Sequence, residues 1–208
     1  YNPLIWNENG VIESFQILFL FIAIIYFLKI LIFKIREKKN LFYFILFFYF
    51  TCLLYYFFEE ISWGQHIFGW ETPDFFIEIN SQNETNIHNT SSLLNELPRN
   101  LLFIWCAFSF VFIKFFKFLN DKFKYFIFPN KNLKFISFMI LFFFLPNFLV
   151  DKFDLAPGHP AYDKFDIILN TFFDVFTFNF VRLSELQELL FNYYILTHSY
   201  YLRKTHHY

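Results

Sequence analysis

The 208-residue chain carries 39 Phe and is 27% aromatic, more ring surface than one soluble core of this length could hide. Its formal net charge is −1, and no basic stripe with interleaved stacking residues occurs, so the sequence gives no sign of nucleic-acid binding. Cys52 and Cys106 both lie in apolar runs and read as small core residues, not as a disulfide framework or a thiolate metal site.

Several apolar runs of about 16 to 20 residues point to lipid as the solvent. The modest mean hydropathy reflects the many Tyr and Asn residues that dilute it. The fold class expected is an all-α transmembrane bundle of about five spans in a single domain over residues 1–208. The first span runs over residues 14–33 and ends in the basic turn Lys34, Arg36, Lys38 and Lys39. A basic stretch after the first apolar run speaks against a cleavable signal. The second span, residues 41–58, has no charge. Residues 59–100 then form a polar connection with seven acids, Glu59, Glu60, Glu71, Asp74, Glu78, Glu84 and Glu96, and Arg99 as its basic residue. Within it Thr72 and Pro73 read as N-cap and first residue of a short helix.

A third span covers residues 101–119, followed by Lys122, Lys124, Lys131 and Lys134, and a fourth covers 135–150. Residues 151–184 form a second polar connection, in which 165–181 reads as an interfacial or re-entrant segment because Asp166 and Asp174 interrupt it. The last span, residues 185–202, is preceded by Ser184, which with Gln187 makes a capping box. The basic connections follow spans one and three and the C-terminal tail, so the charge rule places the N-terminus outside and the C-terminus in the cytoplasm. Both polar connections then stand at the outer face.

The candidate chemistry lies there. Glu59 and Glu60 end an apolar run, where a carboxylate needs a partner or water. Such groups can serve as general acid and base or as metal ligands, or simply as solvated helix ends. Glu84 and His88 are four residues apart, so on a helix they would share one face, with Ser81, and could act as an acid–base pair or chelate. Glu59, Glu60, Glu84 and His88 are therefore the candidate catalytic residues. Ser62, Trp63, Gln65, Gln82, Asn86, Asn89 and Arg182 supply directional groups for a substrate, Arg182 for an anionic head group in particular. Glu185 and Glu188 either complement the dipole of the last helix or face Glu59 and Glu60 across the bundle mouth. In the second case Glu60, Glu84, His88, Glu185 and Glu188 form a ligand set for a divalent metal, Mg, Mn, Fe or Zn rather than copper.

The acid pair before Ser62-Trp63-Gly64-Gln65, with the later Gln82, Glu84 and His88, resembles the pattern of a family of small polytopic bacterial inner-membrane proteins. His66 stands where that pattern has a basic residue. The resemblance implies the bacterial inner membrane and brings no activity. Three readings follow from the residues. The chain is a metal-dependent or acid–base enzyme acting on a lipid or lipid-linked substrate at the outer interface. Or it is a non-catalytic transport or complex subunit, using the acids for cation, proton or partner binding through the outer loop. Or the loop is merely well folded. Carboxylates that converge beside a cavity would favour the first, and acids satisfied one by one the second.

Overall fold

A computed structural model describes residues 5, 10–34, 41–80, 84–116, 118, 121–129, 131–152 and 183–206. Within these residues the chain is all-helical, with no strand. The principal helices are α1 (Val11–Lys34), α2 (Leu41–Glu60), α3 (Gln65–Phe68), α4 (Asp74–Ile79), α5 (Ser92–Phe115), α6 (Asp121–Ile127), α7 (Lys134–Lys152) and α8 (Leu183–His206).

Three segments are long and apolar enough to cross a membrane: Val11–Phe33, Leu41–Glu60 and Leu93–Phe115. They match the composition expected of a membrane-embedded chain. Leu41, Phe44, Phe47 and Phe48 of α2 lie outward and exposed, as a lipid-facing flank requires and a water-facing one does not tolerate. The third segment begins well before residue 101, where the sequence placed it. Ser91 caps α5 by accepting the Leu94 N–H at 3.3 Å, and Leu93, Leu94 and Leu97 extend the apolar run past Glu96 and Arg99. α7 contributes a shorter apolar stretch, Lys134–Phe144. The segment 165–181 lies outside the described residues.

Helix α8 is not apolar enough to stand among the three, yet it is packed into the bundle. It runs parallel to α1, with Phe19 against Tyr193 at 5.7 Å and Tyr26 against Tyr200 at 6.0 Å. Arg203 sits 5.2 Å over the Tyr26 ring. α2 returns antiparallel to α1, pairing Phe21 with Phe57 and Phe27 with Tyr49. Leu20, Ala23, Phe27, Leu46, Phe126 and Leu202 close this first core. A second core joins α5, α7 and α8 through Phe103, Ala107, Ile140, Phe144, Phe191 and Tyr194. The polar residues of α8 face inward: Tyr194 bonds Ser109, and His198 Nε2 donates to the Phe126 carbonyl at 3.0 Å. Leu183 is already helical, so Ser184 lies inside α8 instead of capping it, and its side chain lies outside what is described.

Ala23 is fully buried in the first core. Ala23→Leu is expected to overfill that core at ~1–3 kcal/mol. Phe44→Leu on the outward flank should cost far less, and thermal unfolding of both variants in detergent checks the contrast.

Candidate functional site

The starts of α1 and α8 and the end of α2 meet at one end of the bundle, and the connection to α5 packs against the end of α2. α2 continues two residues beyond the apolar run, so Glu59 and Glu60 occupy its last turn. Successive helical residues point ~100° apart, and the two carboxylates consequently enter different environments.

Glu59 is buried, 3% exposed, and closes the connection. Its Oε1 accepts the Trp63 Nε1–H at 2.8 Å. Its Oε2 accepts the backbone N–H groups of Ile87 at 2.7 Å and His88 at 2.8 Å, and lies 3.0 Å from His88 Nδ1. Four donors converge on one carboxylate, the partner set that its charged form needs. Between the two ends the chain reverses through three consecutive left-handed residues, Ser62 (φ 45°), Trp63 (φ 55°) and Gly64 (φ 103°). Such backbone costs Ser and Trp roughly 1–2 kcal/mol each. Charge-assisted hydrogen bonds at about 1.5–3 kcal/mol apiece outweigh that. A Cβ at Gly64 would lie 3.1 Å from the Trp70 ring and 3.2 Å from the Phe68 ring, a tight fit that adds to the cost of its left-handed φ.

Ser62 Oγ donates to Glu84 Oε2 at 2.7 Å, and Asn86 Nδ2 donates to the same oxygen at 2.7 Å. Buried Asn80 gathers the turn from inside: its Nδ2 lies 2.9 Å from the Glu84 and Asn86 carbonyl oxygens and 2.7 Å from Asn86 Oδ1. Gln65 donates to Thr72 Oγ1 at 2.7 Å and accepts the Thr85 N–H at 2.7 Å. Asn89 Oδ1 accepts from Asn95 at 3.0 Å and ties the turn to α5. The described residues assigned to a substrate, Ser62, Trp63, Gln65, Asn86 and Asn89, thus all make polar contacts within this connection. Gln82 and Arg182 lie outside the described residues, as does Ser81.

Two expectations change here. Glu84 and His88 do not share a helix face: residues 84–87 are irregular and His88–Thr90 forms a single tight 3₁₀ turn. The reason is long-range, since Glu59 takes the backbone N–H groups of Ile87 and His88. Pro73 stands before the helix, with Asp74 its first residue, so Thr72 is not the cap; its hydroxyl accepts from Gln65.

Glu60 points the other way, into a seam between α1, α2 and α8. It interacts with the carboxylates of Glu188, Glu13 and Glu185, and with the Tyr56 phenol. Tyr56 in turn lies beside Glu188 and Asn192. Gln16 Nε2 donates to the Glu185 carbonyl at 2.9 Å and reaches its Oε2 at 3.3 Å. Gln16 and Asn192 are both 0% exposed, yet Gln16 Oε1 and both amide atoms of Asn192 have no hydrogen-bond partner among the described residues. Buried amide atoms left so are expected to meet a ligand, ion or water. Sequence reasoning missed Glu13, Gln16, Tyr56 and Asn192. Their signal was spacing: Glu13 and Gln16 are three apart, Tyr56 and Glu60 four, and Glu185, Glu188 and Asn192 fall at i, i+3 and i+7.

The five suggested metal ligands therefore divide between two clusters, Glu84 and His88 in the connection and Glu60, Glu185 and Glu188 in the seam. Among the described residues, no three of His, Cys, Asp or Glu are grouped so as to hold a metal ion. Compared with known proteins, the chain matches no family model, no curated protein and no solved structure.

Removing the Glu59 carboxylate should unfasten the connection. Glu59→Ala is expected to cost about 3 kcal/mol, because the Ile87 and His88 N–H groups lose their acceptor. His88→Ala leaves those two bonds and should cost nearer to ~1 kcal/mol. Amide exchange at Ile87 and His88 should accelerate in the first variant only.

Proposed function

We propose that this chain is a multi-pass membrane protein of about five spans that holds a proton in its carboxylate seam, as a non-catalytic transport or membrane-complex subunit. The observation that carries this is the electrostatic coupling of Glu60 to Glu188, Glu13 and Glu185, on three helices, near the buried Gln16 Oε1, which has no hydrogen-bond partner among the described residues. Carboxylates that are electrostatically coupled at low dielectric favour sharing a proton.

α7 and α8 complete the span count in this reading. With the Lys- and Arg-rich connections toward the cytoplasm, the seam stands at the outer face and the C-terminus inside, and the resemblance of the acid-pair motif supports a bacterial inner membrane. The enzyme reading has less support, because the acids it relies on, Glu59 and Glu84, are satisfied one by one. Glu59 Oε1 and Oε2 and Glu84 Oε2, the oxygens that would act on a lipid substrate, are occupied by donors from their own connection. The Glu59–His88 contact serves there as a fastening.

Dicyclohexylcarbodiimide, which reacts with protonated membrane-embedded carboxyl groups, tests the seam in reconstituted protein. Adducts on Glu60 or Glu188 that decline as pH rises would identify a proton site. Protection by Na⁺, K⁺ or Mg²⁺ at fixed pH would identify a cation site instead and overturn the proton reading. Folded protein with no adduct on any of the four acids, at any pH and with or without cations, would sink the reading. In Glu60→Gln, labelling of Glu188 should change, since the two carboxylates interact.

A further inference from the structure

The connection between α2 and α5 is built inside out for a loop surrounded by water. Two of its amide side chains turn inward: Asn80 and Asn86 are buried at 4% and 1% exposure, and they bond to each other and to Glu84. Its large apolar side chains turn outward. Ile67 is 66% exposed, Phe68 75% and Phe75 65%, and Trp70, Ile77 and Ile79 join them. A contiguous apolar face on an otherwise well-bonded loop marks an interaction surface.

Three observations say what covers it. The first is continuity with the span. Trp63 stacks on Phe58 at 5.4 Å and 14°, and meets Tyr55 edge-on at 6.3 Å. Tyr55 and Phe58 are themselves exposed on the last turns of α2, so the apolar flank of the helix runs on into the connection. The second is confinement. The connection leaves one membrane-length helix at Glu60 and enters another near Leu93, and Glu59 pins Ile87 and His88 to the helix end. The outward apolar groups therefore stay beside the helix mouth. The third is the pattern of α4. Asp74 and Glu78 lie four apart on one edge, and Phe75 and Ile79 four apart on the next, all exposed. A helix with acids along one edge and apolar groups along the other suits a boundary between water and hydrocarbon.

We infer that residues 63–79 form an interfacial shelf that lies in the lipid head-group region, with Phe68, Phe75 and their apolar neighbours at the acyl boundary and Glu71, Asp74 and Glu78 toward water. Trp63 and Trp70 take the place of interfacial aromatic anchors. Between Glu60 and Arg99 the sequence has no Lys or Arg, while Glu71, Asp74 and Glu78 are exposed. The shelf therefore fits a zwitterionic leaflet and is repelled by an anionic one. The inference rests on the membrane-spanning part of the proposed function and is independent of what the seam binds.

Nitroxide labels at Phe68→Cys and Phe75→Cys, in a Cys52→Ser, Cys106→Ala background within phosphatidylcholine nanodiscs, test it by collision with oxygen and with a water-soluble nickel chelate. Phe48→Cys, on the outward flank of α2, reports whether that helix lies in lipid. The expected result is a several-fold excess of oxygen over nickel collisions at both shelf sites, smaller than at Phe48→Cys. Exchanging part of the lipid for phosphatidylglycerol should reduce the excess at the shelf alone. Nickel-dominated collisions at 68 and 75, with Phe48→Cys in lipid, would place the shelf in water and overturn the inference. Low collision rates with both reagents there would mean that protein covers it, a second copy included, and would overturn it too. Nickel access at all three positions would instead defeat the membrane reading itself.

Discussion

A carboxylate at the end of a membrane-length helix has to find donors, and the way Glu59 finds them governs this whole end of the molecule. It draws on two backbone N–H groups from nearly thirty residues away, an indole N–H one turn on, and an imidazole. To reach them the chain must double back at once, through Ser62, Trp63 and Gly64 in the left-handed region. That backbone is unfavourable alone and is retained because its side chains are bound as well: Ser62 to Glu84, Trp63 to Glu59. Strain and fastening belong to one device.

The same turn of helix explains why two neighbouring acids have different tasks. Glu59 faces the connection and is surrounded by donors. Glu60, rotated by ~100°, faces other carboxylates across α1 and α8. The two neighbours differ accordingly: Glu59 fastens the connection, and Glu60 is the acid of the proposed proton site.

α8 follows the same economy. Its Asn192, His198 and Ser199 are buried, while Tyr193 and Tyr200 are exposed. A helix polar on its inner face needs partners from its neighbours, and it finds them in Ser109 and the Phe126 carbonyl. Among the described residues His198 Nδ1 and the Asn192 amide atoms are the exceptions, and Asn192 lies beside Tyr56.

By itself the sequence determined the solvent and the class. Long uncharged runs rich in Phe and Leu can be covered only by lipid or by one another, and the three membrane-length helices follow from that. It also located the polar connection and the acid pair, since acids after an apolar run are visible without coordinates. Tertiary structure alone decided what those residues touch. Glu84 and His88 look like a helical pair at four-residue spacing, but Glu59 takes the N–H of His88, and a bond across twenty-nine residues leaves no local trace. Glu13 and Glu185 are far apart in the chain, and only the parallel packing of α1 on α8 brings them to Glu60. Local spacing fixes which face a side chain occupies; which face it meets depends on how the helices pack.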